Sequence, residues 1–202
     1  MNNLGETILF VSLMLAAALL AWVLYSYFVR AKRSEVTKKS VGKTLRTMAP
    51  LREWRVLENV TLADKKGNVT ADHLVIAPYG VLVFTDIHQQ GSYYGELRDE
   101  QWLISTGGEN QVETLRVKVP NPVRNNERFV AALRARLTAG EVYNVPVEAL
   151  CPVTQSKAEV FVTGANALVV PAGRLREVLS RQKYQKDNGV DTGKIAALLQ
   201  NS

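Results

Sequence analysis

The sequence predicts an α/β fold, a mixed sheet flanked by helices, preceded by one transmembrane helix. A long uncharged apolar stretch opens the chain, and the remainder alternates between helical and strand-like hydrophobic periods. The composition, 47% hydrophobic and 22% charged over 202 residues, excludes collagen-like, mucin-like and wholly disordered chains. Cys151 is the single cysteine of the sequence, so a disulfide framework and a cysteine-built zinc site are excluded as well.

The first element is the apolar stretch from Thr7 to Val29, which contains no charged residue. As a helix, its roughly 23 residues would cover the ~30 Å hydrocarbon core of a bilayer. No Lys or Arg precedes the stretch, and Trp22, Tyr25 and Tyr27 lie near its end, which favours a spanning helix over a cleaved signal peptide. A buried helix of a soluble core is the disfavoured alternative, because core helices are rarely apolar on every face.

A basic stretch follows the apolar one. Nine of the 25 Lys and Arg residues lie between Arg30 and Arg55, whereas residues 56–202 carry equal numbers of basic and acidic side chains. The positive-inside rule then places this flank in the cytoplasm and the short N-terminus outside. We therefore expect a single-pass protein of a bacterial inner (cytoplasmic) membrane, with its basic flank against the lipid bilayer; contact with nucleic acid is the alternative.

The folded domain is predicted to occupy residues 41–182, after residues 1–29 and a basic linker over residues 30–40. Val41, Leu45 and Met48 recur at helical spacing and predict a helix over 41–49, which ends before Pro50. Three segments rich in β-branched residues follow, with turns between them. They predict an antiparallel meander of strands over 54–62, 73–77 and 81–87.

The second half of the domain begins less regularly. Residues 91–120 contain four glycines and Trp102, and predict a short strand pair or an irregular insertion. Asn121 and Pro122 are typical of a helix N-cap and first helical position, so a helix is predicted over 122–138. Further strands are expected over 145–153, 160–163 and 168–170, with helices over 174–182 and 194–200. Residues 183–202 are predicted to be a polar connector ending in that last short helix.

Several short motifs, taken in order and spacing, resemble one known family. They are Asp72-His73-Leu74-Val75-Ile76, Gly80-Val81-Leu82-Val83-Phe84, Gly91, Gly95, Trp102 and Asn121-Pro122. Their succession resembles the NERD (nuclease-related) domain of the restriction-endonuclease-like PD-(D/E)xK superfamily, often found behind an N-terminal transmembrane helix. The resemblance covers residues 41–182 and implies a restriction-endonuclease-like fold with metal-dependent phosphodiester hydrolysis.

The resemblance also assigns catalytic positions, most of which are degenerate in this chain. The family pattern has a Glu early in the first helix, an Asp before His, an E-x-K at the end of the third strand and a Gln after Asn-Pro. Carboxylates hold Mg²⁺, and the lysine offsets charge on the phosphate. Asp72 is retained, but the other positions hold Lys43, Thr85, Ile87 and Asn125. This implies a binding or scaffold module that has lost nuclease catalysis and needs no cofactor.

Two alternatives remain open. Asp86 is adjacent to the E-x-K positions, although strand alternation should point it to the opposite face with Phe84 and His88. If a bulge corrected this, Asp72 and Asp86, with Glu58 as a further candidate, would form a shifted nuclease site using Mg²⁺ or Mn²⁺. The second alternative is a membrane tether for DNA, in which the nucleic acid is bound by Arg124, Arg128, Arg134 and Arg136.

Structural explanations accompany several candidate residues. Asp72 can cap a turn or pair with a cation such as Lys43, and His73 can be a hydrogen-bonded strand residue. Asp86 and His88 form only a weak metal-ligand pair, and His88 is expected at the surface. Cys151 lies in an apolar segment and is expected to be buried and inert. The partner, whether an unknown protein or nucleic acid, is not specified by the sequence.

Overall fold

In the computed structural model of the chain, the described residues are 13–25, 40–106, 115–165 and 168–200. The chain divides into two compact units, Met1–Thr37 and Lys38–Ser202. In the first unit, residues 13–25 form a helix whose residues are all exposed. Within the described ranges, no helix is both long and apolar enough to span a membrane. Residues 7–12 and 26–29 of the predicted span lie outside these ranges.

The larger unit contains a five-stranded mixed sheet in the spatial order β1-β2-β3-β7-β9. Strands β1 (Arg55–Asp64), β2 (Gly67–Ala77) and β3 (Gly80–Phe84) pair antiparallel, which confirms the predicted meander. Strands β7 (Val147–Val153) and β9 (Val169–Pro171) extend the sheet in parallel. Strand β3 ends before the predicted residue 87, because the chain leaves the β2 ladder after Phe84.

A second sheet contains the short strand pair expected within residues 91–120 and corrects the expectation of a single sheet. Its spatial order is β6-β5-β4-β8, and its strands are β4 (Gly91–Glu96), β5 (Gln101–Thr106), β6 (Leu115–Pro120) and β8 (Ala158–Thr163). Tyr93, Trp102 and Ile104 are buried on its inner side, and the indole N–H of Trp102 donates to the Glu96 carbonyl at 2.9 Å. Two glycines in β4 interrupt the hydrophobic alternation by which a strand is recognised.

Helices cover both faces of the first sheet. Helix α1 (residues 40–48) and helix α3 (Leu175–Leu179) pack on one face, in a cluster that includes Leu45, Phe84 and Leu179. Helix α2 (Pro122–Ala139) and helix α4 (Thr192–Gln200) pack on the opposite face, in a cluster that includes Phe129 and Ile195. The side chain of Asn121 caps α2 by accepting from the backbone N–H groups of two residues in its first turn, as its sequence predicts.

The C-terminal residues belong to the core. Tyr184, in the 3-10 turn Gln182–Gln185, is buried, and so are Ile195 and Leu199 of α4. Tyr184 and Lys183 donate hydrogen bonds to the Glu148 carboxylate of β7 at 2.9 Å and 2.6 Å, and the Tyr79 hydroxyl donates to the same carboxylate. The stretch predicted as a polar connector therefore contributes few but well-placed apolar side chains, spaced to bury one face of a helix.

Candidate functional site

Thr85 directly follows β3 and faces α2. Its hydroxyl donates to the side-chain oxygen of Asn126 at 2.8 Å and accepts from the side-chain amide of Asn125 at 3.0 Å. The Asn126 amide also donates to the Leu150 carbonyl at 3.1 Å and to Cys151 Sγ at 3.2 Å. These bonds make Thr85 a structural residue that joins the end of β3 to α2 and β7.

Ile87, two residues further along, is a core residue with 3% of its surface exposed. Its backbone N–H donates to the Pro152 carbonyl at 2.8 Å, and it forms an isolated parallel bridge with Val153. The side chain packs in the cluster beneath the second sheet, which also contains Tyr93 and Trp102. Its environment is therefore apolar.

The pairing of β1 with β2 is irregular where Asp72 lies. The register runs from Arg55–Ile76 to Asp64–Gly67, but Asn59 and Asp72 do not pair, and Asn59 has a left-handed φ of 52°. Leu74 and Ala71 pack in the same cluster although they are three residues apart, so the alternation of faces changes here by one residue. This irregularity frees the Asp72 side chain from a regular strand position.

Asp72 and Asp86 come together as a result. The backbone N–H of Asp86 donates to Asp72 Oδ2 at 2.8 Å, and both residues line one cavity of about 190 Å³, which we call the aspartate cavity. Among the described residues no ion pair joins Lys43 to Asp72, and Lys43 lines a different cavity. The irregularity that brings the two aspartates together lies in β1 and β2 rather than in β3, where the sequence argument required it.

A chain of polar groups crosses the rest of this cavity. His73 Nε2 lies 3.4 Å from Asp86 Oδ2, and His73 Nδ1 lies 3.8 Å from Glu58 Oε1. Glu58 Oε1 also forms an ion pair with Arg46 Nη2 of α1 at 2.9 Å. A Cβ at Gly42 would lie 2.6 Å from Glu58 Oε1 and 3.2 Å from the His73 ring, so a larger residue there would require these side chains to shift.

Burial governs the electrostatics of Asp86. The Asp86 side chain is 3% exposed, and this burial raises its pKa, as does the nearby charge of Asp72, while the contact with His73 lowers it. Asp86 Oδ1 and His73 Nδ1 are buried atoms without a hydrogen-bond partner. The cavity therefore holds one acceptor and one ring nitrogen that a ligand could contact.

The fold described above is compatible with a restriction-endonuclease-like domain, and one comparison decides the family. The family model of the NERD, or nuclease-related, domain matches residues 33–154, which is more than half of the chain. The chain belongs to the NERD family. No curated protein and no solved structure matches it. Of the positions that the resemblance assigned in this NERD domain, Asp72 lines the cavity described above, whereas Thr85 and Ile87 do not.

The NERD site offers part of a metal-binding set. Asp72 and Asp86 are hard oxygen ligands of the kind that Mg²⁺ and Mn²⁺ prefer, and Asp86 Oδ1 is unpartnered. Among the described residues, however, no three His, Cys, Asp or Glu side chains are grouped to hold a metal ion. An ion bound by the two aspartates would need further ligands from water or from a substrate phosphate.

The arginines predicted to bind DNA do not form one free cationic face. Arg124 pairs with Glu127 at 2.6 Å and with Glu100 at 3.5 Å, and Arg128 pairs with Asp64 at 2.7 Å. The guanidinium of Arg136 donates to the Leu198 carbonyl at 3.3 Å, whereas Arg134 is exposed. Acidic neighbours thus offset the positive charges of two of the four arginines, and the DNA tether stays a prediction.

Two other candidates take no direct part in the cavity. His88 is exposed, and His73 rather than His88 contacts the Asp86 carboxylate. Cys151 is buried, and burial raises the pKa of its thiol to about 12, so the thiol is protonated at neutral pH. Sequence reasoning missed Arg46, Asn59 and Asn126. For Asn59 a signal exists, since Asn tolerates a left-handed conformation within an otherwise β-rich segment.

Proposed function

We propose that this NERD domain is a membrane-anchored, cytoplasmic binding or scaffold module that has lost nuclease catalysis. One observation carries the proposal: the two E-x-K positions hold Thr85, bonded into α2, and Ile87, buried in the core. Both positions have taken up structural roles that a glutamate and a lysine could not fill without loss of packing. Asp72 alone retains its family identity.

Of the two residues missing from the E-x-K positions, the lysine is the greater loss for catalysis. Deleting an electrostatic stabiliser of this type costs ~10²–10³ in rate. Arg46 is the cation that lines the aspartate cavity, but its ion pair with Glu58 at 2.9 Å neutralises it in place. A phosphate at Asp72 and Asp86 would therefore meet two carboxylates with little compensating positive charge.

The membrane anchor is proposed from the sequence. Residues 7–29 are free of charge and are followed by Arg30, Lys32 and Arg33. The described part of this stretch is a helix with exposed apolar side chains, which suits contact with lipid or detergent. Membrane fractionation with alkaline extraction tests the anchor: the chain should stay with the membrane, and release into the soluble fraction would contradict it.

The catalytic part of the proposal is tested with the full chain in a neutral detergent. Single- and double-stranded DNA and RNA are incubated with wild type, Asp72→Ala and the matched control Glu159→Ala, with Mg²⁺ or Mn²⁺. Glu159 is exposed on β8, outside the aspartate cavity. We expect no metal-dependent cleavage by any of the three. Cleavage that is lost in Asp72→Ala and kept in Glu159→Ala would contradict the proposal.

A shifted nuclease site is the second candidate function. It is favoured by the contact between Asp72 and the Asp86 backbone at 2.8 Å and by the cavity that they share with Glu58. In this case Asp72 and Asp86 would hold Mg²⁺ or Mn²⁺, which would polarise a phosphodiester for attack by water. Asp86→Asn should then abolish both cleavage and any stabilisation by Mn²⁺ in thermal unfolding. If Mn²⁺ stabilises wild type and Asp86→Asn equally, the shifted site is ruled out.

A further inference from the structure

A second cavity lies between α1, the 3-10 turn Ala172–Arg174 and α3. It has a volume of about 340 Å³ and shares no lining residue with the aspartate cavity. Lys43 of α1 and Arg176 of α3 line it, and the residues described around it include no acidic side chain. Thr44 and Thr47 supply polar wall, with hydroxyls that donate to backbone carbonyls within α1.

Lys43 and Arg176 differ from the cations next to them. Arg46 of α1 is paired with Glu58 at 2.9 Å, and Arg174 is paired with Glu177 at 3.1 Å. Within the described ranges, neither Lys43 nor Arg176 forms an ion pair. Two positive charges on one concave surface, with no acidic partner among the described residues, create a potential that attracts an anion.

The space next to this cavity suits the remainder of a ligand. An adjoining cavity of about 520 Å³ shares Ser40, Ala172 and Gly173 with it. The walls of the adjoining cavity combine valine side chains with the polar groups of Gln155 and Ser156. An anionic group at Lys43 and Arg176 can therefore belong to a larger molecule whose uncharged part extends along the domain.

We propose that Lys43 and Arg176 bind the phosphate group of a ligand in this cavity. A guanidinium fork such as that of Arg176 matches two phosphate oxygens, and the Lys43 ammonium supplies a point charge at the wall of the same cavity. The phosphate can belong to the headgroup of an anionic lipid or to a soluble phosphate ester. The lipid source rests on the proposed anchor, since only residues 30–39 separate the predicted span from Ser40; the soluble source does not.

The test uses the full chain in a neutral detergent and phosphorus NMR of three probes. These are inorganic phosphate, a short-chain phosphatidic acid and, as the zwitterionic control, a short-chain phosphatidylcholine. Wild type is compared with Lys43→Gln/Arg176→Gln and with Lys65→Gln/Arg116→Gln, a control that removes two exposed cations outside both cavities. We expect binding of a phosphate probe to weaken at least about tenfold in the cavity variant and to be unchanged in the control.

A second variant adds a negative charge at the cavity wall and leaves both cations in place. A Cβ at Gly173 meets no atom within 4 Å, so a side chain is accommodated there. Gly173→Glu places a carboxylate at the wall and should weaken phosphate binding, whereas Gly173→Gln, of nearly the same size, should weaken it much less. Equal effects of Glu and Gln would contradict an electrostatic site.

The binding results distinguish a lipid headgroup from a soluble phosphate, and they also show whether the proposed phosphate site exists. Tighter binding of phosphatidic acid than of inorganic phosphate, lost in the cavity variant, identifies a lipid headgroup; equal binding of the two identifies a soluble phosphate. Loss of binding to the same degree in the control double variant, or no binding of either phosphate probe at about 20 mM, overturns the proposal. None of these outcomes bears on the nuclease assay, because the two cavities share no residue.

Discussion

Replacing Asn126 by alanine tests whether the end of β3 is held as a structural junction. Asn126 is 2% exposed, and its side chain bonds to Thr85, to the Leu150 carbonyl and to Cys151 Sγ. Each such bond contributes a net 0.5–1.5 kcal/mol on average, and the bond to sulfur is the weakest, so their loss costs about 2–4 kcal/mol. The half-buried Thr85 hydroxyl would also lose its acceptor.

Thermal unfolding of the full chain in a neutral detergent, followed by tryptophan fluorescence, measures this loss. For a unit of this size 1 kcal/mol corresponds to about 2–4 °C in Tm, so Asn126→Ala should lower Tm by about 4–16 °C. The matched control is Asn125→Ala, which removes bonds to Thr70 and Thr85 at a half-buried position where water can replace them. It should lower Tm by less than about 4 °C.

A Tm of Asn126→Ala within about 1 °C of wild type would refute the reasoning, because a buried network of this kind cannot be lost without cost. An equal loss in Asn125→Ala would refute it differently. An equal loss of Tm would show that the stabilising free energy comes from the surface of α2 rather than from the junction between β3, α2 and β7.

Three further predictions concern stability. Hydrogen bonds from Lys183 and two tyrosines hold the folded-state pKa of Glu148 below its ordinary 4.5, although burial opposes this. A carboxylate whose pKa is lowered in the folded state stabilises the fold above pH 4.5, and this stability is lost as the pH falls through the folded-state pKa. Glu148→Gln should therefore be less stable than wild type at pH 7. Its Tm should also fall less steeply on acidification than the Tm of wild type. Gly80→Ala places a Cβ 2.3 Å from the Pro146 carbonyl oxygen; it should cost more than about 2 kcal/mol in denaturant unfolding, and a smaller loss would show that this turn can move. Arg128→Gln breaks a half-buried ion pair with Asp64 and should lower stability less than Asn126→Ala does, with the difference shrinking further in high salt; an equal loss would mean that the pair is shielded from solvent.

Local signals predicted the elements that depend on local chemistry. Helix α2 was expected over 122–138 and is Pro122–Ala139, because the Asn121 cap and Pro122 fix its start. Helix α1 was expected over 41–49 and is found at 40–48, because Val41, Leu45 and Met48 bury one face. The strand pair expected within residues 91–120 and the strand expected over 160–163 are present, but no local signal joins them into one sheet, since the parallel pairing of β4 with β8 joins Gly91 to Ala158. Contacts between segments so distant in sequence leave no local pattern.

The aspartate cavity was only half predictable for a related reason. Alternation along β3 places Asp86 on the face of Phe84, and the contact with His73 shows it there. The expectation that Asp72 would be out of reach assumed a regular β2. The left-handed conformation of Asn59 and its missing pairing with Asp72 break that regularity, and they arise from the fit of two strands rather than from either strand alone.

The pairing of β4 with β8 also sets the order in which the domain can assemble during synthesis. The meander β1–β3 is contiguous in sequence and can form as soon as it leaves the ribosome. Strand β4 must wait with one edge unpaired until Ala158–Thr163 has been made, and α4, which buries Ile195 and Leu199, is made later still. An unpaired edge and an uncovered apolar face are the features that lead nascent chains to aggregate. A chain truncated after residue 154, where the family match ends, would keep both permanently.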